Sequence, residues 1–408
     1  MNKTTTIYAG DSPGRSRVIG GGLIIAGTSI GAGMLSLPLV SSGLGFTTSL
    51  VILFGLWALM TYTALLMLEV HQFSDKTATL HTLAKQFLGD KGKLIAGFSM
   101  LFLFYSLSAA YMAGGGSQLT DRVHQIAGIE MSPALGAIVF GVFVALVVVV
   151  GTHLVDKVNR VLFGLMLLAM AFVIVSLAPN IHGAFLLSTP MQAGLIVVAL
   201  PVIFTSFGFH GSIPAIVNYL DGDTNDLRKA MWIGSCIPLV IYIFWLLCSL
   251  GVVPQVELVE NNSLNSLIHS LSAVLGGSNL SVIVGFFADL ALVTSFLGVS
   301  LGLFEFIQDS TKKKFKGNRL HVALLTYLPP LAFALFYPEG FIMALGYAAI
   351  ALVVLAIFLP AAMVLKSRRD FPNKKYYRVK GGDESVIAVS VIGALIIIAQ
   401  LCVSFGFI

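Results

Sequence analysis

The stretch Ala26-Gly27-Thr28-Ser29-Ile30-Gly31-Ala32-Gly33 lies inside one long apolar run, and Thr205-Ser206-Phe207-Gly208-Phe209-His210-Gly211 lies inside another. Both contain Thr-Ser-apolar-Gly, and each is followed by a proline, Pro38 and Pro214. Glycine lets a backbone leave helical geometry and proline removes a helical hydrogen bond, so each cluster predicts a helix that opens midway. In a bilayer, opened backbone is tolerated only where it lines a cavity or meets a ligand. Two such segments in corresponding places of two halves predict a membrane bundle with its binding site at the breaks.

Composition agrees with a membrane environment. The 408 residues are 57% hydrophobic and only 11% charged, where soluble domains carry about 25% charged residues. The net charge of +5 would suit a nucleic-acid partner, but the basic residues sit in short tracts between apolar runs, which is a topology signal. Cys236, Cys248 and Cys402 all lie within apolar stretches and form neither a disulfide framework nor a metal-ligand spacing. The first apolar run, 18–40, exceeds the roughly 7–15 residues of a signal-peptide core, so it reads as an uncleaved span.

Eleven runs approach the roughly 20 residues that cross a bilayer: 18–40, 47–70, 94–118, 133–153, 160–179, 193–217, 230–253, 281–307, 320–337, 340–362 and 386–407. With the N-terminus inside, every lysine and arginine except Arg122 falls in a cytoplasmic tract. One missed or invented span would swap every later loop, so this bias supports both count and orientation and puts the C-terminus outside. The segment 71–93 reads as an amphipathic interfacial helix, and 255–280 as one or two short helices over the external face. The expected organisation is a cytoplasmic tail (1–17), a first five-helix repeat (18–180), a second five-helix repeat (193–362) and an eleventh span (386–407). Because five is odd, the second repeat is inverted.

The breaks carry the candidate chemistry. A half-helix that begins after a break presents free N–H groups and positive dipole to a carboxylate, while one that ends there presents carbonyls to an ammonium or a metal cation. A zwitterionic amino acid satisfies both ends. The residues in question are Thr28, Ser29, Gly31, Ala32 and Gly33 in the first break, and Thr205, Ser206, Phe207, Gly208, Phe209, His210 and Gly211 in the second. His210 would either donate to substrate or exchange a proton. Asp289 is the one carboxylate placed well inside a span, where it costs about 2.5–3.5 kcal/mol and calls for a partner; it either titrates alone or is a structural hydrogen-bonding residue. It lies about 140° around its helix from Thr294 and about 120° the other way from Ser295, so the three cannot share one small site. Glu69 and Glu305 fall near cytoplasmic helix ends and are expected to reach water. No catalytic constellation, nucleotide loop or metal motif is present in the sequence, which argues against an enzyme. A receptor or channel would need no matched pair of broken helices.

Several runs carry a resemblance: Ala26 to Leu35, Pro201 to Pro214, Thr294 to Leu303, Phe333 to Phe341 and the tract Arg378-Val379-Lys380-Gly381-Gly382. Over nearly its whole length the chain resembles the bacterial hydroxy and aromatic amino acid permease family, and most of all its tyrosine-specific branch. The resemblance implies an all-α fold of eleven transmembrane helices, with a leucine-transporter-type 5+5 inverted repeat plus one helix, in the bacterial inner membrane. It implies tyrosine import by proton symport, with a tryptophan or broad aromatic substrate, and sodium coupling, as alternatives. It places the Ala32 and Gly33 amides in the carboxylate cradle and Thr28, Ser29, Thr205, Ser206 and Phe207 in the pocket lining. It offers the Gly27 and Ile30 carbonyls with the Thr294 and Ser295 hydroxyls as a cation site. No cofactor beyond a coupling ion is expected, and the partners are the amino acid and the bilayer.

Overall fold

A computed structural model of the chain describes residues 13–188, 195–276, 279–315, 318–372 and 376–407. The expected tail is therefore described only from Pro13, and Lys3, Lys316, Lys374 and Lys375 lie outside the described residues. Helices account for nearly all the described backbone, and no strand occurs among the described residues. In chain order they are α1 (Pro13–Ser29), α2 (Gly33–Ser42), α3 (Phe46–His71), α4 (Leu80–Ala127), α5 (Pro133–Val150), α6 (Thr152–Leu177), α7 (Gly183–Leu187), α8 (Leu195–Ser206), α9 (Ile213–Tyr219), α10 (Thr224–Val252), α11 (Gln255–Glu260), α12 (Leu264–Val274), α13 (Asn279–Phe315), α14 (Arg319–Phe336), α15 (Phe341–Val353), α16 (Leu359–Asp370) and α17 (Gly382–Ser404).

Ten helical segments are long and apolar enough to cross a membrane, and the pair α1/α2, bent by 57°, makes an eleventh. All eleven coincide with the runs read from sequence. The segment 71–93 differs in detail: its amphipathic helix is fused to the third span, and the join is marked by Gly89, whose φ of 70° turns the chain inside α4. Residue 89 had to be a glycine for that turn to cost little. Within the expected segment 255–280, the described residues 255–276 form the two short helices α11 and α12, the second capped by the Ser263 hydroxyl, which accepts from the Ser266 amide. A π-helical turn, Val354–Phe358, separates α15 from α16 inside one span.

Small residues set the packing around the first break. Gly20, Gly21 and Gly22 lay α1 against α9 and α10; a Cβ on Gly20 would stand 2.9 Å from the Tyr219 hydroxyl, and one on Gly22 would stand 2.9 Å from Ile233. This is the close helix approach that small residues permit in lipid. α2 meanwhile packs on α8. Basic residues gather on one face of the bundle. There Arg17, at the start of α1, and Lys76 each reach Asp221 at 2.9 Å. These two cations hold the Asp221 carboxyl below the usual carboxylate range, Lys76 more strongly than Arg17. The link ties the start of α1 to the turn after α9.

On the same face Glu69, at the end of α3, is 1% exposed, which overturns the expectation that it reaches water. Arg368 of α16 grips it with Nε to Oε1 at 2.6 Å and Nη2 to Oε2 at 2.8 Å. The Val379 amide donates to Oε2 at 2.9 Å, and Arg368 Nη1 donates to Asp383 at 2.9 Å. A buried carboxylate needs such a fork and added donors to offset its desolvation. Glu305 does remain exposed and accepts from the Thr152 hydroxyl at 2.8 Å.

Candidate substrate site at the two broken helices

The two breaks meet near the middle of the bundle. α1 ends at Ser29, the regular helix is interrupted over residues 30–32, and α2 begins at Gly33. Among the described residues the Gly31 amide has no acceptor, and the Gly33 amide opens α2, where a helix leaves its N–H groups without intrahelical partners. The Ala32 amide donates to the Ser295 hydroxyl of α13 at 2.8 Å. A Cβ on Gly31 would run into that hydroxyl. Across from it α8 ends at Ser206, and the chain turns through Phe207, Gly208 and Phe209 before α9. At Gly208 a Cβ would lie 3.0 Å from the Thr205 carbonyl oxygen.

The ends of α1 and α8 are joined by a residue that sequence reading missed. The Tyr242 hydroxyl, on α10, lies 2.7 Å from the Ser29 carbonyl oxygen and 2.7 Å from that of Ser206. One turn on, the Trp245 indole N–H donates to the Met34 carbonyl at 2.9 Å. Ser206 adds a further tie, its hydroxyl reaching the Gly33 carbonyl at 3.2 Å. Tyr242 and Trp245 are buried, and both rings carry a polar atom that must find a partner. That need was the available signal: a Tyr and a Trp three residues apart on one face of an apolar span.

The expected residues sort into groups. Ser29, Gly31, Ala32, Gly33, Ser206, Phe207 and Ser295 converge on the breaks. Phe207 is fully buried, its ring edge-on to Tyr242 with centroids 5.2 Å apart. Thr28 turns away: it is exposed and donates to the Ile24 carbonyl of its own helix at 2.8 Å. Thr205 donates to Pro201 at 2.9 Å and lies 3.2 Å from the Leu345 carbonyl of α15, and Gly211 is exposed. Phe209 is buried and stacks on His210 at 5.0 Å.

His210 is buried against α3, where its Nε2 meets the Thr63 hydroxyl at 2.9 Å. That hydroxyl reaches the Met60 carbonyl at 3.1 Å. Spending the hydroxyl proton on Met60 makes Nε2 the protonated nitrogen and leaves Nδ1 a bare lone pair. Nδ1 is buried with no partner among the described residues.

The proposed cation ligands divide. Gly27 faces Phe163 of α6, a Cβ there lying 3.4 Å from the ring. Ile30 is buried at the break, and its amide donates to Ala26 at 2.8 Å. Thr294 donates to Leu290 on its own helix at 2.8 Å beside Met166, while Ser295 alone reaches the break. Asp289 is elsewhere. It pairs with Arg122, Nε to Oδ2 at 3.0 Å, so it is not a lone titrating group. Sequence had marked both residues separately, one as the carboxylate within a span and one as the cation outside the basic tracts. Beside this pair, Gln118, Asp121, Arg122, Asn265 and His269 help line a cavity of about 220 Å³ between α4 and α12, away from the breaks.

Comparison with known proteins places the chain. The tryptophan/tyrosine permease family matches residues 15–400. The tyrosine-specific transport system 1 of Haemophilus influenzae is 45% identical over 398 residues, covering 96% of this chain and 98% of that one. The tyrosine-specific transport system 2 of the same organism is 40% identical over 399 residues, with the same coverage, 96% and 98%. Its tryptophan-specific transport protein is 34% identical over 406 residues, covering 95% and 96%. These relatives are transport proteins, and with its membrane-spanning helices this chain belongs to the tryptophan/tyrosine permease family.

Proposed function

We propose that the chain imports L-tyrosine across the bacterial inner membrane by proton symport and alternating access. The observation that carries this reading is the convergence of the carbonyl ends of α1 and α8 beside the amide end of α2, held by Tyr242 and Ser295. Carbonyls and free amides side by side suit the ammonium and carboxylate that every amino acid shares. Tyrosine as cargo is favoured by identity, 45% and 40% to tyrosine-specific relatives against 34% to the tryptophan-specific one. The buried rings of Phe207 and Phe209 offer apolar surface for an aromatic side chain.

The basic face is the cytoplasmic one by the positive-inside rule, so the N-terminus is inside and the C-terminus outside. The organisation is that of two inverted five-span repeats, 18–180 and 193–362, with 386–407 added. Their packing supports it: α4 lies on α15 and α6 lies on α13, contacts that exchange under a shift of five spans. Among the residues of the two breaks His210 alone carries an imidazole, so it is the proton site of this reading. Thr294 turns to its own helix beside Met166 and only Ser295 of the two reaches the break, which favours the proton over sodium.

Proteoliposomes test the coupling. An inward proton gradient without sodium should drive tyrosine accumulation, and a protonophore should abolish it. Uptake that follows a sodium gradient and ignores the proton gradient would overturn the assignment.

A further inference from the structure

We infer that the Tyr242 hydroxyl stands in for the substrate's ammonium group, joining the carbonyl ends of α1 and α8 when no amino acid joins them and yielding both carbonyls when one docks. The inference rests on the transport reading above and adds a positioning residue to it.

The geometry is unusual in its proton count. Two carbonyl oxygens, of Ser29 and Ser206, each lie 2.7 Å from one phenolic oxygen. A phenol donates a single proton, and among the described residues neither carbonyl has a backbone donor. One proton thus serves two buried acceptors, and one of them is always short. The Ser29 hydroxyl, on the same terminal residue, is also buried without a partner among the described residues. A primary ammonium brings three N–H donors and a full charge, so it would satisfy both carbonyls with charge-assisted bonds. A second hydroxyl repeats the pattern with opposite polarity. Ser295 accepts from the Ala32 amide, where a carboxylate would accept. Together the two side chains reproduce the donor and acceptor ends of a zwitterion.

Such a stand-in has a mechanical use. Net uptake requires the unloaded carrier to reorient, whereas exchange of internal for external substrate requires only the loaded one. If the broken helices move as one unit, their carbonyl ends need a common partner in both states. The ammonium supplies it when loaded and Tyr242 when unloaded. A simple brace between α10 and the breaks would serve both states alike.

The test compares net, gradient-driven uptake with counterflow exchange of L-tyrosine in proteoliposomes. Tyr242→Phe removes the donor; p-methylphenylalanine at the same position removes it while keeping the volume, should the smaller ring impair folding. Both should lower net uptake about tenfold more than they lower exchange, as expected for a lost buried hydrogen bond that leaves its acceptors unpaired in the unloaded carrier. Replacing Tyr242 with p-aminophenylalanine restores a donor and should restore net uptake. Equal losses of exchange and net uptake in both donorless proteins, or net uptake that persists in either, would overturn the inference. Wild-type protein that exchanges no aromatic amino acid would instead overturn the transport reading.

Discussion

Gly31→Val is expected to lower tyrosine uptake by about a hundredfold while the protein still accumulates in the membrane, a loss on the scale of misplacing a binding group by an ångström. Any Cβ at residue 31 meets the Ser295 hydroxyl, the acceptor of the Ala32 amide, and valine adds two more carbons behind it. Turning the Ser295 hydroxyl aside would clear the Cβ only by giving up the bond that holds the Ala32 amide. The break must therefore shift, carrying the amide end of α2 away from the carbonyl ends of α1 and α8. Gly33 supplies the contrast. A Cβ there would rest 3.6 Å from Ser206, an ordinary contact, so Gly33→Ala should be mild and only a bulky Gly33→Leu should abolish uptake. Initial uptake rates normalised to membrane content check the series. A Gly31→Val protein that transports like wild type would remove Gly31 from the site.

The second large effect concerns stability. Arg368→Ala is expected to destabilise the protein by about 3–5 kcal/mol, because it leaves the Glu69 carboxylate buried with its counter-charge removed. Glu69 is 1% exposed and would keep only the Val379 amide. The segment around Val379 would then lose its anchor as well, since Arg368 also holds Asp383. Arg368→Lys keeps the charge but not the two-pronged grip on Glu69, so it should fall between. Thermal or denaturant unfolding in detergent measures the series. An Arg368→Ala midpoint matching wild type would show that the pair is not what fixes this face.

Much of the fold was legible in the sequence because a bilayer leaves so few solutions. Apolar runs of spanning length and a one-sided distribution of basic residues located every span, and the Thr-Ser-apolar-Gly clusters located both breaks. Side-chain direction was less legible. Thr28 and Ser29 look alike in sequence, yet one turns out to Ile24 and the exposed surface while the other faces the break. Glu69 sits where a helix end would ordinarily reach water, and only the return of the chain at Val379 seals it. Asp289 and Arg122 are 167 residues apart, so their pairing is a tertiary fact. Tyr242 was missed for the same reason. Its role depends on the carbonyls of Ser29 and Ser206 converging on α10, and its own span announces only a polar ring that needs a partner, not which one.

The central claim is that the two breaks grip the amino acid through its ammonium and carboxylate together. Competition against labelled L-tyrosine uptake tests it most directly, using unlabelled L-tyrosine, tyramine, which lacks the carboxylate, and 3-(4-hydroxyphenyl)propionate, which lacks the ammonium. L-Tyrosine alone should compete, since each analogue leaves one end of the site unpaired. Strong competition by tyramine or by the propionate would contradict the account.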